Sequence, residues 1–313
     1  MRAARSRVRR KRNADSASSP TGLLIGCGNM GKIHASAAQE LGALITAVVD
    51  SDGTAAGAYS DVRSVPLDSV FDFAVVATPT DLHFQHVADA VARFPDLKGI
   101  LIEKPPVLTR EEIDAIRKFP DDVRARLFVA EVEHYNRSLQ AFAKYREPIT
   151  KLTMERNVDL SFFLRGRKTT WFLDEQRSGG IVLDLMIHDL NLLVAKFGPP
   201  RAIARVKGTS TKFSGVDDVE VELEYPGFTA LLRASWTASG AQPIRTRIGL
   251  TAGTGTRQEV MCDSYLESVR GRTNPFVAQM SAFLSTLRTG QMPYSLSVYL
   301  DAVEIALRIR ERL

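Results

Sequence analysis

The sequence predicts an α/β fold in which a doubly wound parallel sheet is followed by an α+β domain with an open-faced, largely antiparallel sheet. Apolar strands alternate with amphipathic helices up to about residue 135, which is typical of βαβ units. Beyond that point several strands alternate strictly between apolar and polar residues. The length of 313 residues is enough for two domains, which we place at 21–135 and 136–313.

The N-terminal segment 1–20 differs sharply in charge from the rest of the chain. It holds six Arg and one Lys against one Asp, whereas the remainder has 34 basic and 35 acidic residues. We interpret it as a disordered basic tail; an organelle transit segment, or a start codon assigned too far upstream, is the alternative. The near-neutral remainder predicts no nucleic-acid partner, and no apolar run reaches the ~18 residues of a membrane span. With only two cysteines, Cys27 and Cys262, a reducing and cytoplasmic location is expected, although organelle targeting by the tail stays open.

A glycine turn follows the first strand and opens the first helix. The residues Leu23 to Ile25 form a short apolar strand, and Gly26, Gly28 and Gly31 come directly after it. This spacing suits a dinucleotide: the first glycine makes a tight turn, the second admits a pyrophosphate, and the third lets helix and strand pack closely. The alternative is a glycine turn in some other kind of α/β unit.

The second strand ends at Asp50, which lies 19 residues beyond Gly31. A carboxylate at this place accepts hydrogen bonds from an adenosine ribose and repels a 2′-phosphate. No arginine follows between Asp50 and Tyr59 to neutralise such a phosphate. The sequence therefore predicts a Rossmann domain that binds NAD in preference to NADP, unless Asp50 is only a solvated strand end.

The βαβ alternation continues after Asp50. We predict strands at 71–77, 99–103 and 125–133, with helices at 82–91 and around Ile113 and Ile116. The second half begins with a helix from Leu139 to Pro148 and a β-rich segment at 152–164. The strands at 218–225 and 228–236 alternate strictly, which leaves one sheet face packed and the other wet or reserved for a partner. Two amphipathic helices, at 274–290 and 297–313, close the chain.

A mostly apolar helix is predicted from Ser178 to Gly198, interrupted by Asp184, His188 and Asn191. At about 100° per residue these three fall within about 40° of one another and form a narrow polar stripe. Buried carboxylates and imidazoles need partners or a water-filled cleft. The stripe is therefore either part of a functional site or a satisfied structural Asp/His pair.

Taken in order, several segments resemble the Gfo/Idh/MocA family, which includes glucose-fructose oxidoreductase, inositol dehydrogenase and related sugar dehydrogenases. The segments are GCGNMGKIH, VVD, ATPTDLH, IEKP, EVEHYNRS, SGGIVLDLMIHDLNLL and PFVAQMSAFLSTLRTGQMP, and the resemblance covers residues 21–313. It implies a Rossmann domain, a nicotinamide cofactor between the domains, and a C-terminal sheet used for contacts in a homo-oligomer, either a dimer or a tetramer.

The resemblance also implies site residues. The catalytic trio is Lys104, Asp184 and His188. The implied cofactor contacts are Gly26, Gly28, Asn29, Met30, Gly31, Asp50, Thr78, Pro79, His83, Glu103 and Lys104. The implied substrate contacts are Lys104, Tyr135, Asn136, Arg137, Trp171, Asp184, His188 and Asn191. For His83 and Trp171 a purely structural role is the alternative.

This chain departs from its relatives at two places. Where many inositol dehydrogenases read H-D-x-D, it has Asn191 in place of the last carboxylate. Its VAEVEHYNR resembles the VGHVERFNP of enzymes that oxidise nucleotide-activated amino sugars, with Ala130, His134 and Arg137 replacing glycine, arginine and proline. Both departures bear on the identity of the substrate.

The function expected from this pattern is an NAD-dependent dehydrogenase that acts on a secondary alcohol of a sugar or nucleotide sugar. His188 would act as the base or acid, and Asp184, one turn away, would hold His188 or relay its proton. Lys104 would hydrogen-bond the reacting oxygen and stabilise its negative charge. The alternatives are an inositol (cyclitol) 2-dehydrogenase and a non-catalytic NAD-binding regulatory protein. No metal is expected, because the five histidines show no H-E-x-x-H pattern.

Overall fold

The computed structural model describes residues 19–51, 57–165, 171–238, 244–253, 255–262 and 274–313. All but the last two residues of the predicted basic tail lie outside these ranges. Among the helices within them, none is both long and apolar enough to cross a bilayer.

The first sheet is parallel and has the strand order β2-β1-β3-β4-β5, which confirms the predicted doubly wound fold. Its strands β3 to β5 are buried along their whole length, as apolar strands covered on both faces should be. The chain leaves β1 for β2 on one side and later crosses to β3 on the other, and open sheets bind ligands at such a switch point. The strands are β1 Thr21–Ile25, β2 Leu44–Val49, β3 Phe73–Val76, β4 Gly99–Glu103 and β5 Leu127–Ala130.

Helices cover both faces of this sheet. On one face, Val87 and Ile113 pack in the same cluster as Leu23 and Ile25; on the other, Ala37 packs with the intervening strand residue Leu24. The helices are α1 Asn29–Glu40, α2 His83–Arg93, α3 Arg110–Arg117 and α4 Asp121–Arg124.

The second sheet has the order β11-β10-β6-β9-β8-β7 and is antiparallel except where β6 lies parallel to β9. The predicted alternation is confirmed in β8, where Val219, Val221 and Leu223 are buried and Glu220 and Glu222 are partly exposed. The strands are β6 Ile149–Val158, β7 Ala202–Thr209, β8 Asp218–Tyr225, β9 Phe228–Ser235, β10 Ile244–Ala252 and β11 Arg257–Cys262.

Two predictions at the start of the second half are wrong. The helix expected to reach Pro148 spans only Gln140–Lys144 (α5), and Tyr145 already has extended backbone. The end of the predicted β-rich segment is instead a short helix, Leu160–Leu164 (α6), because the Asp159 carboxylate caps the Phe162 N–H at 3.1 Å. Two further helices follow, α7 Glu175–Ser178 and α8 Ile187–Phe197.

The last two helices cover different sheets. Helix α10, Leu296–Arg310, shares one core cluster with α8 and with the buried side of the second sheet. Helix α9, Pro275–Thr289, instead packs on the first sheet, where Phe283 meets Phe73 and Phe128 edge to face at 5.8 and 5.4 Å. An amphipathic pattern says that a helix has a buried face but not which sheet it covers. The boundary between 21–135 and 136–313 stays a prediction.

We expect Phe283→Ala to lower the free energy of unfolding by about 3–5 kcal/mol, because the ring is fully buried and leaves a cavity against the first sheet. Urea unfolding followed by circular dichroism measures the loss. The matched control is Arg288→Ala, an exposed position in the last turn of α9, which should change stability by less than about 0.5 kcal/mol. Equal losses in the two variants would contradict the packing described for α9.

Candidate active site

The three glycines of the turn have two kinds of surroundings. Gly26 has φ +91°, and a Cβ on it would lie 2.6 Å from Ala77 O; on Gly31 it would lie 2.0 Å from Gly26 O. A Cβ on Gly28 would meet nothing within 4 Å among the described residues. Gly26 and Gly31 thus allow close packing, whereas Gly28 leaves open space in front of the N-terminus of α1, where Asn29 and Met30 begin the helix. A pyrophosphate fits such a cradle.

Asp50 lies against the same turn. Its Oδ2 accepts a hydrogen bond from the Cys27 N–H at 2.7 Å. Strands β1 and β2 are parallel, and Ile25 is the partner of Val49 at their ends, so the residues that follow the two strands meet at one edge of the sheet. The predicted acid is therefore beside the glycine cradle, as a ribose ligand must be.

Thr78 and His83 lie after the carboxyl end of β3, the strand next to β1. The two ring nitrogens of His83 lie 2.9 Å from Thr78 O and 2.8 Å from Pro105 O. Burial lowers the pKa of His83, so the ring is neutral and donates to one of these carbonyls at a time. Thr78 Oγ1 also lies 3.1 Å from His86 Nδ1, and Pro79 follows it directly. His83 is buried, so direct contact with a cofactor stays a prediction.

Glu103 ends β4 and is buried together with His34 of α1. Its Oε1 lies 2.6 Å from His34 Nε2, and its Oε2 accepts from the Lys104 N–H at 3.1 Å. Burial raises the pKa of Glu103, but His34, Lys104 and His83 together outweigh burial and leave the pKa below its usual value. Glu103 therefore acts as an ionised support for the backbone of Lys104, and its contact with a cofactor stays a prediction.

Lys104 reaches the helix that carries the polar stripe. Its Nζ donates to Asp184 O at 2.6 Å and to Asp184 Oδ1 at 3.2 Å. Burial disfavours the ammonium, but Asp184, Glu103 and Glu131 outweigh it, so the pKa of Lys104 is raised and the group is charged. The Asp184 carbonyl belongs to a π-helical turn, Val182–Met186, a form often found at functional sites.

The π-helical turn divides the predicted stripe. Its wider turn shifts the phase of the helix, and Asp184 faces Lys104 whereas His188 and Asn191 face Glu131. His188 Nδ1 lies 2.6 Å from Glu131 Oε1, and Asn191 Nδ2 donates to Glu131 Oε2 at 2.8 Å. We predicted that Asp184 holds His188; the residue that contacts its ring is Glu131.

Beneath the stripe lies a buried ionic network. Arg156 of β6 donates to Asp189 Oδ1 at 3.1 and 2.8 Å and to Glu133 Oε1, and all three side chains are buried. Burial raises the pKa of Asp189 despite Arg156. For Glu133, Arg156 and His188 together outweigh burial and lower the pKa. Asn136 donates to Glu133 Oε2 at 2.9 Å and is buried, so this predicted substrate contact belongs to the supporting network.

The remaining predicted substrate residues are more dispersed. Tyr135 stacks on Phe128 at 6.4 Å, and its buried hydroxyl has no partner among the described residues. Arg137 is exposed, and Trp171 is half-buried and packs edge to face on Phe172. Their contacts with a substrate stay predictions.

The sequence does not indicate Glu131, because the segment VAEVE predicts a strand that continues through residue 133. Strand β5 ends at Ala130, and Val132–Tyr135 forms a tight helical turn. Ala130 pairs with Glu103 of β4, so Glu131 and Lys104 are the first residues beyond two adjacent strands. An acid directly after a buried strand was the signal that could have located it. Arg156 carried no comparable signal, because it occupies an inward position of an otherwise ordinary strand.

Comparison with known proteins agrees with this geometry. Residues 22–131 match the oxidoreductase family with an NAD-binding Rossmann fold, and residues 152–256 match the GFO/IDH/MocA C-terminal domain. The chain is 32% identical over 232 residues to inositol 2-dehydrogenase of Rhizobium meliloti, covering 71% of this chain and 66% of that protein. It is 26% identical over 195 residues to UDP-N-acetylglucosamine 3-dehydrogenase of Acidithiobacillus ferrooxidans, covering 60% and 57%. The matches thus span 66% and 57% of these two relatives' lengths, less than two thirds in both cases.

The crystal structure of myo-inositol 2-dehydrogenase from Lactobacillus plantarum has the same fold, with a TM-score of 0.75 at 17% identity over 94% of this chain and 96% of that one. Two domain matches from one family, in the expected order, together cover more than half of the sequence. The chain therefore belongs to the GFO/IDH/MocA family of oxidoreductases, whose N-terminal domain is an NAD-binding Rossmann fold.

Proposed function

We propose that this protein is an NAD-dependent dehydrogenase that oxidises a secondary alcohol on a sugar, nucleotide sugar or cyclitol ring. The observation that carries the proposal is that one helical segment presents Asp184 to Lys104 and His188 to Glu131, and that Lys104 and Glu131 directly follow the adjacent strands β4 and β5. The glycine cradle and Asp50 lie along the same edge of this sheet, where a dinucleotide fits.

Bound NAD would accept the hydride from the alcohol carbon. The chain's own residues manage the proton and the charge. An ammonium has three N–H donors, and Asp184 takes two of those on Lys104 among the described residues, which leaves one for the reacting oxygen. The Nδ1 of His188 is hydrogen-bonded to Glu131, so Nε2 is the ring nitrogen that remains to take the hydroxyl proton.

The substrate classes that we propose come from the protein's relatives. One is named for the oxidation of an inositol and the other for the oxidation of a UDP-linked amino sugar. The decisive experiment is a panel of inositols, free sugars and UDP-sugars tested with NAD for the appearance of NADH absorbance. Turnover with any of these classes supports the proposal. Failure of all three classes in protein that still binds NADH would reject it.

We also propose a cytoplasmic homo-oligomer, a dimer or tetramer, that uses the outer face of the second sheet. Across five strands this face presents a row of alternating charge, set by the strand register: Lys207, Glu220, Arg233, Glu155 and Arg247. A second copy that is shifted by one strand would place opposite charges of the two rows against each other.

His188→Ala should lower kcat by about 10² to 10⁴ while NADH affinity, read by fluorescence, stays within about twofold of the wild type. Lys104→Ala should behave in the same way, because it acts at the reacting oxygen and not at the adenosine end. The control is Lys118→Ala, an exposed lysine at the end of α3, which should keep wild-type turnover. A well-folded His188→Ala with wild-type kcat would end the catalytic assignment.

Asp50→Ala should weaken NADH binding by about 10- to 100-fold, since a hydrogen bond to a charged group is worth roughly 1.5–3 kcal/mol. NADPH binding should change less, so the preference for NAD should narrow. Fluorescence titration with both cofactors measures the two dissociation constants. The exposed Asp68→Ala is the control, and a parallel loss for both cofactors would contradict the ribose assignment of Asp50.

Light scattering should give a mass of two or four times that of the 34.5 kDa chain. Glu220→Arg should weaken the assembly at least tenfold in dissociation constant, because it places three positive charges side by side with Lys207 and Arg233. The exposed Glu40→Arg on α1 should leave the assembly unchanged. A monomer at micromolar concentration, or equal effects of both variants, would contradict the proposed interface.

A further inference from the structure

Glu131 is a fully buried carboxylate with two polar side-chain partners on one helix. Its Oε1 lies 2.6 Å from His188 Nδ1, and its Oε2 accepts from Asn191 Nδ2 at 2.8 Å. The N–H groups of Glu131 and Val132 face the side-chain amide of Gln279, whose oxygen accepts both at 3.1 and 3.0 Å when oriented toward them. Both ends of this residue are therefore held, one by α8 and the other by α9.

These contacts establish the charge of Glu131. Burial alone raises its pKa, but the neighbouring His188 and the hydrogen bonds from His188 and Asn191 lower it below the usual value of a glutamate. An ionised carboxylate only accepts hydrogen bonds, so the His188 nitrogen that faces it must carry the proton. The ring is thus held as the Nδ1–H tautomer, and its Nε2 points away from Glu131.

Other charged groups act on His188 less directly. Glu133 and His134 act on His188 from the turn after β5, and Asp189 is the next residue after His188 on α8. Arg156 pairs with both Glu133 and Asp189, and burial lowers the pKa of His134, which keeps that ring neutral. The Lys104 ammonium also acts on Glu131, but its Nζ binds Asp184. Glu131 is therefore the carboxylate that contacts the imidazole of His188 directly.

We propose that Glu131 is the positioning residue of the reaction: it fixes the tautomer of His188 and stabilises the positive charge that His188 gains when it takes the alcohol proton. This inference rests on the proposed dehydrogenase function. In that step the alcohol gives its hydroxyl proton to His188 Nε2 and its hydride to NAD⁺, so the alcohol becomes a ketone, NAD⁺ becomes NADH and the imidazole becomes an imidazolium. The carboxylate of Glu131 gains a charged partner at the moment of reaction.

The test removes the charge and keeps the shape, with Glu131→Gln. The Asn191 amide can turn to suit it, because Asn191 Oδ1 is buried without a partner among the described residues and would accept from the new amide. We expect kcat to fall by about 10- to 100-fold with NADH affinity unchanged. We also expect the acidic limb of the pH–rate profile to move to lower pH, because the imidazolium of His188 loses the carboxylate that stabilises it.

Glu133→Gln is the matched control: the same residue type, equally buried, two positions on, and paired with Arg156 instead of His188. It should lower the melting temperature and leave the acidic limb in place. If Glu131 only ties the turn to α8, Glu131→Gln would behave like this control, and the proposal would be overturned. Glu131→Asp keeps the charge, so it should retain the wild-type limb; it also serves if Glu131→Gln does not fold, and a shifted limb in that variant would contradict the proposal.

An NMR titration of histidine-labelled protein separates this inference from the proposed function. His188, assigned by the signal missing in His188→Ala, should lose its proton at lower pH in Glu131→Gln than in the wild type, and no substrate is needed to see this. Absence of turnover in wild-type protein across the substrate panel would reject the dehydrogenase function. Identical His188 titrations in the wild type and Glu131→Gln would reject the role of Glu131.

Discussion

The arrangement of this protein depends on carboxylates that are buried between the first sheet and α8. Glu131 and Glu133 lie in the turn after β5, and Asp189 lies on α8. A carboxylate removed from water needs a charged or hydrogen-bonding partner, and removing one member of a buried ion pair costs about 3–5 kcal/mol. Arg156 and His188 are those partners. The position of α8 relative to the first sheet, and with it the position of His188, follows from keeping these pairs together.

The same constraint gathers a reactive site from separate parts of the chain. Glu103 and Ala130 pair across β4 and β5, so Lys104 and Glu131 emerge beside each other at one sheet edge. The helix from the second half then presents Asp184 to the lysine and His188 to the glutamate, with the π-helical turn providing the change of phase. The charged lysine and the oriented histidine thus come from distant parts of the chain. Lys104 is 80 residues from Asp184, and His188 lies beyond Asp184.

The cofactor side of the site is simpler because backbone geometry dominates it. Two of the three glycines are required by contacts with Ala77 and Gly26, and the third leaves open space for a phosphate. Helix α9 reinforces this half: it covers the first sheet with Phe283 and holds the turn after β5 through Gln279. A single helix from the C-terminal part of the chain therefore supports both the Rossmann core and the residue that orients His188.

The sequence by itself determined the features that depend on local spacing: the parallel sheet, the glycine cradle, Asp50 directly after β2 and the alternating second sheet. It also located Asp184, His188 and Asn191 on one helical segment, but the π-helical turn that separates Asp184 from the other two was not predicted. The predicted features follow from backbone sterics and from the periods of helix and strand, which act over a few residues. Only the tertiary structure decided which carboxylate contacts His188, where Arg156 and Gln279 bind, and which sheet α9 covers. Those outcomes depend on contacts between residues far apart in sequence, and the cost of burying a charge selects them only once the elements have packed together.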